Sequence, residues 1–138
     1  MENLKMNDDM KSHFLNLYSI ALSDCQIDTT ELDLLFKFGE ERGVPREDIE
    51  KIILHPNKVK FVIPEDIMTK VEYLYDFARM IWADKRVDPF EETTLQKFCV
   101  KFGFEENNSK NIANFLIEEA KKETPKSQIF GIVNQNLN

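Results

Sequence analysis

The chain has 138 residues, a formal charge of −7 from 18 Lys and Arg against 25 Asp and Glu, and a pI near 4.9. Hydrophobic residues make up 42% and include eleven Phe, with only four Gly, so there is enough apolar material for one folded domain over 1–138 and little of the disorder signature. The acidic balance argues against nucleic acid or an anionic membrane as partner, since both recruit Lys and Arg clusters. Met1 to Met10 lack an apolar leader and no run of about 18 apolar residues occurs, so a cytoplasmic location is expected. Neither Cys25 nor Cys99 belongs to a metal or redox spacing; Cys99 lies on an apolar stripe and reads as core, Cys25 as loop.

In chain order, Phe14, Leu17, Tyr18, Ala21 and Leu22 follow helical spacing and predict a first helix over about 9–23. Leu32, Leu35, Phe36 and Gly39 repeat the spacing in a second, which Gly43 ends as a left-handed cap. Pro45 then opens a short third helix with Ile49, Ile52 and Ile53 inward, closed by His55-Pro56-Asn57. Val59, Phe61 and Ile63 alternate like a strand, yet no second strand exists to pair with them, so 55–63 is an extended linker. From Glu65 the signal is strongest: Ile67, Val71, Leu74, Tyr75, Ala78, Ile81 and Trp82 mark a long central helix. A fifth helix carries Leu95, Phe98, Cys99 and Phe102 inward and ends at Gly103, and a sixth carries Ile112, Phe115, Leu116 and Ala120. After Thr124-Pro125, Ile129, Phe130, Ile132 and Val133 form a weak last helix in an extension over 124–138.

Shifting the chain by 60 residues aligns 21–44 with 81–104 without a gap, and seven of these 24 pairs are identical, including Asp24/Asp84, Asp28/Asp88, Glu31/Glu91 and Gly43/Gly103. Chance gives about one or two. The reading is an all-α fold of about seven helices, in which two helix–loop–helix repeats, over about 10–54 and 65–120, supply a four-helix core.

Each repeat carries an acidic turn, Asp-x-x-[Ile/Val]-Asp-x-x-Glu, and two readings of it stand side by side. Asp28 and Asp88 are placed as N-caps, with Glu31 and Glu91 at the third helical position to close a capping box, which needs no ligand. Asp24 and Asp84 sit at a helix C-terminus, where the macrodipole disfavours negative charge. They are explained either by an Asx-type turn or by a divalent cation held among Asp24, Asp28, Glu31 or Asp84, Asp88, Glu91. The turn is not an EF-hand, because Thr29 or Pro89 replaces the required Gly and Leu35 or Leu95 replaces the bidentate Glu. His13 and His55 stand apart from any Cys or second His and are expected at the surface or a helix end. No nucleophile–base pair and no phosphate loop stand out, so a non-enzymatic protein is expected.

The stretch Trp82-Ala83-Asp84-Lys85-Arg86-Val87-Asp88-Pro89-Phe90-Glu91 and its echo over 23–31, repeated within a helical chain of this length, resemble the tellurite-resistance TerB-like family across residues 12–120. The resemblance implies a bundle of about seven helices around a four-helix core. It further implies metal binding by acidic residues at the positions of Asp24, Asp28, Glu31, Asp84, Asp88 and Glu91, a protein partner and a place in stress response. Where the family places Gly after the first Asp, this chain has Cys25 and Lys85.

Overall fold

The structure, a computed structural model, describes residues 8–21, 29–59, 61–85 and 89–137; within them the side chains of 20–21, 29–31, 58, 84 and 133–137 are not described. The described residues form seven α-helices and no strand: α1 (Asp8–Ala21), α2 (Thr29–Glu41), α3 (Arg46–Leu54), α4 (Ile67–Ile81), α5 (Pro89–Lys101), α6 (Glu106–Lys121) and α7 (Lys126–Leu137). Short 3-10 turns follow α3 at Pro56–Lys58 and α4 at Trp82–Asp84. No described helix is long and apolar enough to cross a membrane. The chain divides into two compact units, Met1–Ile63 and Pro64–Asn138.

In the first unit α1 packs on α2 and α3, and α2 on α3. Phe14 and Leu17 of α1, Leu35 and Phe38 of α2 and Ile49 of α3 are wholly buried, each spaced three or four residues from another apolar position of its helix. The α2–α3 corner is tight for a chemical reason. The α2 end is closed by Gly43 N–H donating to the Glu40 carbonyl (3.1 Å) and Val44 N–H to the Gly39 carbonyl (2.8 Å). This closure sets Gly43 at φ +73°, a region that costs a side chain about 1–2 kcal/mol. The Arg46 guanidinium then lies over the Phe36 ring at 4.0 Å from its centroid, joining the start of α3 to α2.

The linker predicted as extended over 55–63 instead opens with the 3-10 turn at Pro56–Lys58; beyond it, the described residues 59 and 61–63 lie outside any helix or strand, and a hydroxyl serves the backbone there. Ser12 Oγ accepts from Val62 N–H (2.9 Å) and lies 3.4 Å from the Val62 carbonyl, so α1 satisfies a backbone that no neighbouring strand serves. Phe61 and Ile63 of this segment are exposed at 49% and 41%.

In the second unit α4 is the hub, packed by α5, α6 and α7. Asp66 caps it, accepting from Thr69 N–H (3.0 Å) and from the Thr69 hydroxyl (3.1 Å). From Val71 to Ile81 it buries Val71, Tyr73, Leu74, Tyr75, Asp76, Phe77, Ala78, Met80 and Ile81, on nearly every side of the helix. Phe77 packs against Phe98 (4.8 Å between centroids) and Phe102 (6.1 Å), an aromatic cluster that ties α4 to α5. Ile67, expected inward, is 42% exposed at the helix start, and Trp82, expected as the last core position, falls in the 3-10 turn and is half-buried.

The α5 and α6 ends repeat the closure of α2. Gly103 N–H donates to Val100 (2.9 Å) and Phe104 N–H to Cys99 (3.1 Å); Glu123 N–H donates to Ala120 (3.0 Å) and Thr124 N–H to Glu119 (3.1 Å). One corner geometry therefore occurs three times, with Gly at the left-handed position twice and Glu123, at φ 56°, in the third.

Candidate functional site

The acidic turn of the second unit starts where α4 tightens into its 3-10 turn. Lys85 N–H donates to the Trp82 carbonyl (2.9 Å), and Lys85 takes a left-handed conformation, φ 64° and ψ 22°, that stops the helix. Asp84 is the last residue of the 3-10 turn. The ammonium groups of Lys85 and Lys121 lie over the Trp82 ring, at 5.6 and 5.3 Å from its centroid. Lys121 also pairs with Glu118 (3.1 Å).

Asp88 lies outside the described residues, and α5 begins at the next residue, Pro89, whose fixed φ suits a first helical position. Glu91 is therefore the third residue of α5, and it is buried, with 5% of its surface exposed. The positive end of the α5 dipole favours its charge there. In the first unit α2 begins at Thr29, one residue after Asp28, and Glu31 is its third residue. Asp24 and Asp28 lie outside the described residues, as do the side chains of Glu31 and Asp84, so Glu91 is the one predicted ligand whose side chain is placed. Among the described residues no three His, Cys, Asp or Glu side chains converge.

The histidine expectation holds for one residue of two. His55 is exposed at the C-terminal end of α3, whereas His13 is buried, with 1% exposed and its ring 5.7 Å from that of Phe14. Isolation from metal-binding partners says nothing about burial, and His13 stands beside Phe14 on the face that α1 turns to its neighbours.

The charge cluster that residue-by-residue reading overlooks is in the same unit. Asp76 is wholly buried, and its Oδ1 lies 3.1 Å from Lys126 Nζ of α7 and 3.7 Å from the Arg79 guanidinium. Lys126 also reaches Glu72 (3.6 Å). Beside this cluster the Tyr75 hydroxyl donates to the Thr124 carbonyl (2.5 Å), with the Glu119 carbonyl at 3.3 Å. Burial raises the Tyr75 phenol above its ordinary range against the opposing pull of Arg79, so the hydroxyl keeps its proton to donate. Glu119, 9% exposed, receives the Thr124 hydroxyl (2.9 Å) and the Lys122 ammonium (3.4 Å). Two signals in the sequence point here: α4 is apolar on almost every side, leaving no face for Asp76 to escape by, and a Lys opens α7 where the macrodipole repels it.

No protein-family model, no curated protein and no solved structure matches the chain.

Proposed function

We propose that this chain is a non-enzymatic, TerB-like helical module that binds a divalent cation or a protein partner through its acidic turns, in a stress response. In this reading the two units are copies of one helix–turn–helix plan. Support for the copying comes from matched element bounds, since Thr29–Glu41 and Pro89–Lys101 start and end 60 residues apart, and from Leu35 and Leu95, both wholly buried.

The observation that carries the cation reading is the burial of Glu91. Glu91 belongs to a turn that offers two further acids, Asp84 and Asp88, within eight residues. Hard divalent ions take such oxygen-only sets. In the first unit Asp24, Asp28 and Glu31 would serve in the same way.

Calorimetric titration with Ca²⁺, Mg²⁺, Mn²⁺ and Zn²⁺, on the native chain and on Asp24→Asn and Asp84→Asn, tests the proposal. Binding heat and a raised Tm with one of these ions, reduced in each variant, is the expected result; no heat and no shift with any ion overturns it. A second reading, in which the acids only cap helices, is favoured by the starts of α2 and α5 immediately after Asp28 and Asp88. It requires Asp28→Ala and Asp88→Ala each to lose about 0.5–2 kcal/mol, whether or not metal is present.

A further inference from the structure

Helix α7 is a poor helix by itself. Its sequence, Lys-Ser-Gln-Ile-Phe-Gly-Ile-Val-Asn-Gln-Asn-Leu, holds Gly131 in the middle and two Asn near the end, all weak helix formers, and a Lys in the first turn where a positive charge is disfavoured. A segment of this kind is helical only while it is docked.

The docking is described over the first half of the helix, residues 126–132. Among its described side chains only Ile129 is fully buried; Lys126, Phe130 and Ile132 are half-buried, and Ser127, Gln128 and Gly131 face water. At the start of α7 the described contacts are polar: Lys126 on Asp76 (3.1 Å) and Glu72 (3.6 Å), next to the Tyr75 hydroxyl on the Thr124 carbonyl (2.5 Å). The hinge preceding it is strained, because Glu123 occupies the left-handed position that Gly43 and Gly103 occupy in the two equivalent corners.

We propose that α7 is a latch that opens and closes on α4 as a unit of its own, with the Lys126–Asp76 pair as its catch. The two halves of the catch depend on each other. Lys126 is tolerated at a helix start by its pairing with Asp76, and Asp76, wholly buried while α7 is closed, has the Lys126 ammonium at 3.1 Å and the Arg79 guanidinium at 3.7 Å, so that loss of Lys126 removes the nearer of these two positive charges. Opening admits water to the Asp76 carboxylate and uncovers the seat of Ile129 in the same motion. Loss of the Lys126 charge therefore biases the latch towards its open form, and relief of the hinge biases it towards the closed one.

Native-state amide hydrogen exchange on the full chain tests this. In the wild-type protein the amides of 129–133 should exchange at least tenfold faster than those of 74–81, at a rate insensitive to low denaturant. Lys126→Met should speed the α7 amides a further tenfold or more while leaving α4, α5 and α6 unchanged, and Asp76→Asn added to it should recover part of that protection. Glu123→Gly, which leaves the charge cluster intact, should slow α7 exchange severalfold. Exchange of α7 in step with α4 in the wild type, or an equal effect of Lys126→Met on all four helices, overturns the proposal. If Lys126→Met fails to fold, Glu123→Gly decides alone, and unchanged α7 exchange in it counts against the latch.

Discussion

At the scale of single residues, three corners of one geometry make a controlled comparison. Gly43, Gly103 and Glu123 occupy the same left-handed position, and a Cβ at Gly43 would meet nothing within 4 Å, so the cost of a side chain there is purely one of backbone conformation. Gly43→Ala should therefore lose about 1 kcal/mol, and Glu123→Gly should gain a similar amount, both read from urea melts. Equal stability of Gly43→Ala and the wild type would remove the backbone argument. Cys99 supplies a pH dependence. Burial pushes its thiol from the ordinary 9.0 up to about 12, so the fold holds the proton while the unfolded chain releases it. The stability from this group is intact below pH 9 and is lost as pH rises towards 12, with a slope of up to about 1.4 kcal/mol per unit. Cys99→Ala should start less stable because of the cavity it leaves, but should fall less steeply between pH 8 and 10. Parallel slopes in the two proteins would show that the thiol is not responsible.

At the scale of elements, Gly39 governs how closely α2 approaches α3. A Cβ there would collide with the Ile49 Cδ1 methyl and sit 3.2 Å from the Val44 carbonyl, which is itself part of the corner. Gly39→Ala should cost about 1–3 kcal/mol by overpacking. Ile49→Val removes the colliding methyl, so the double variant should be more stable than the sum of the two single effects predicts, a coupling measurable by a double-mutant cycle. Strict additivity would place the strain elsewhere. Element starts and stops were largely legible because they rest on local chemistry: Gly43 and Gly103 as left-handed ends, Pro45 and Pro125 before the next helices, and the aliphatic stripes of α2, α4 and α6. The errors share a cause, which is that periodicity reports where apolar residues recur and is silent on which polar residues are carried inside with them. His13 and Asp76 are buried on helices whose neighbours enclose them. For the candidate site the sequence named the acids and their order, and the structure adds the burial of Glu91, which no spacing rule contains. The other five side chains lie outside the described residues.

At the scale of the whole molecule, the division into two units has a consequence for folding. The second unit holds a core of its own, in which Leu74, Phe77, Ala78, Leu95, Cys99, Ala113 and Ile129 are wholly buried, drawn from α4 and the three helices packed on it. Domains of about 55–65 residues can fold alone when such a core closes, and residues 64–138 exceed that length. The capped start at Asp66, the two left-handed corners and the Asp76–Lys126 pair all lie within the same stretch. Residues 64–138 expressed alone should thus give a helical far-UV spectrum and a single cooperative urea transition. Its m-value should be smaller than that of the full chain, in proportion to the surface exposed on unfolding. A fragment without a cooperative transition would show that α4 depends on residues 1–63 for its packing. If the fragment folds, it also isolates one acidic turn from the other. Titration of the fragment with the ion that binds the full chain then measures what Asp84, Asp88 and Glu91 hold without Asp24, Asp28 and Glu31. A self-contained turn in each unit predicts half the stoichiometry at similar affinity, whereas a site that needs both turns predicts none.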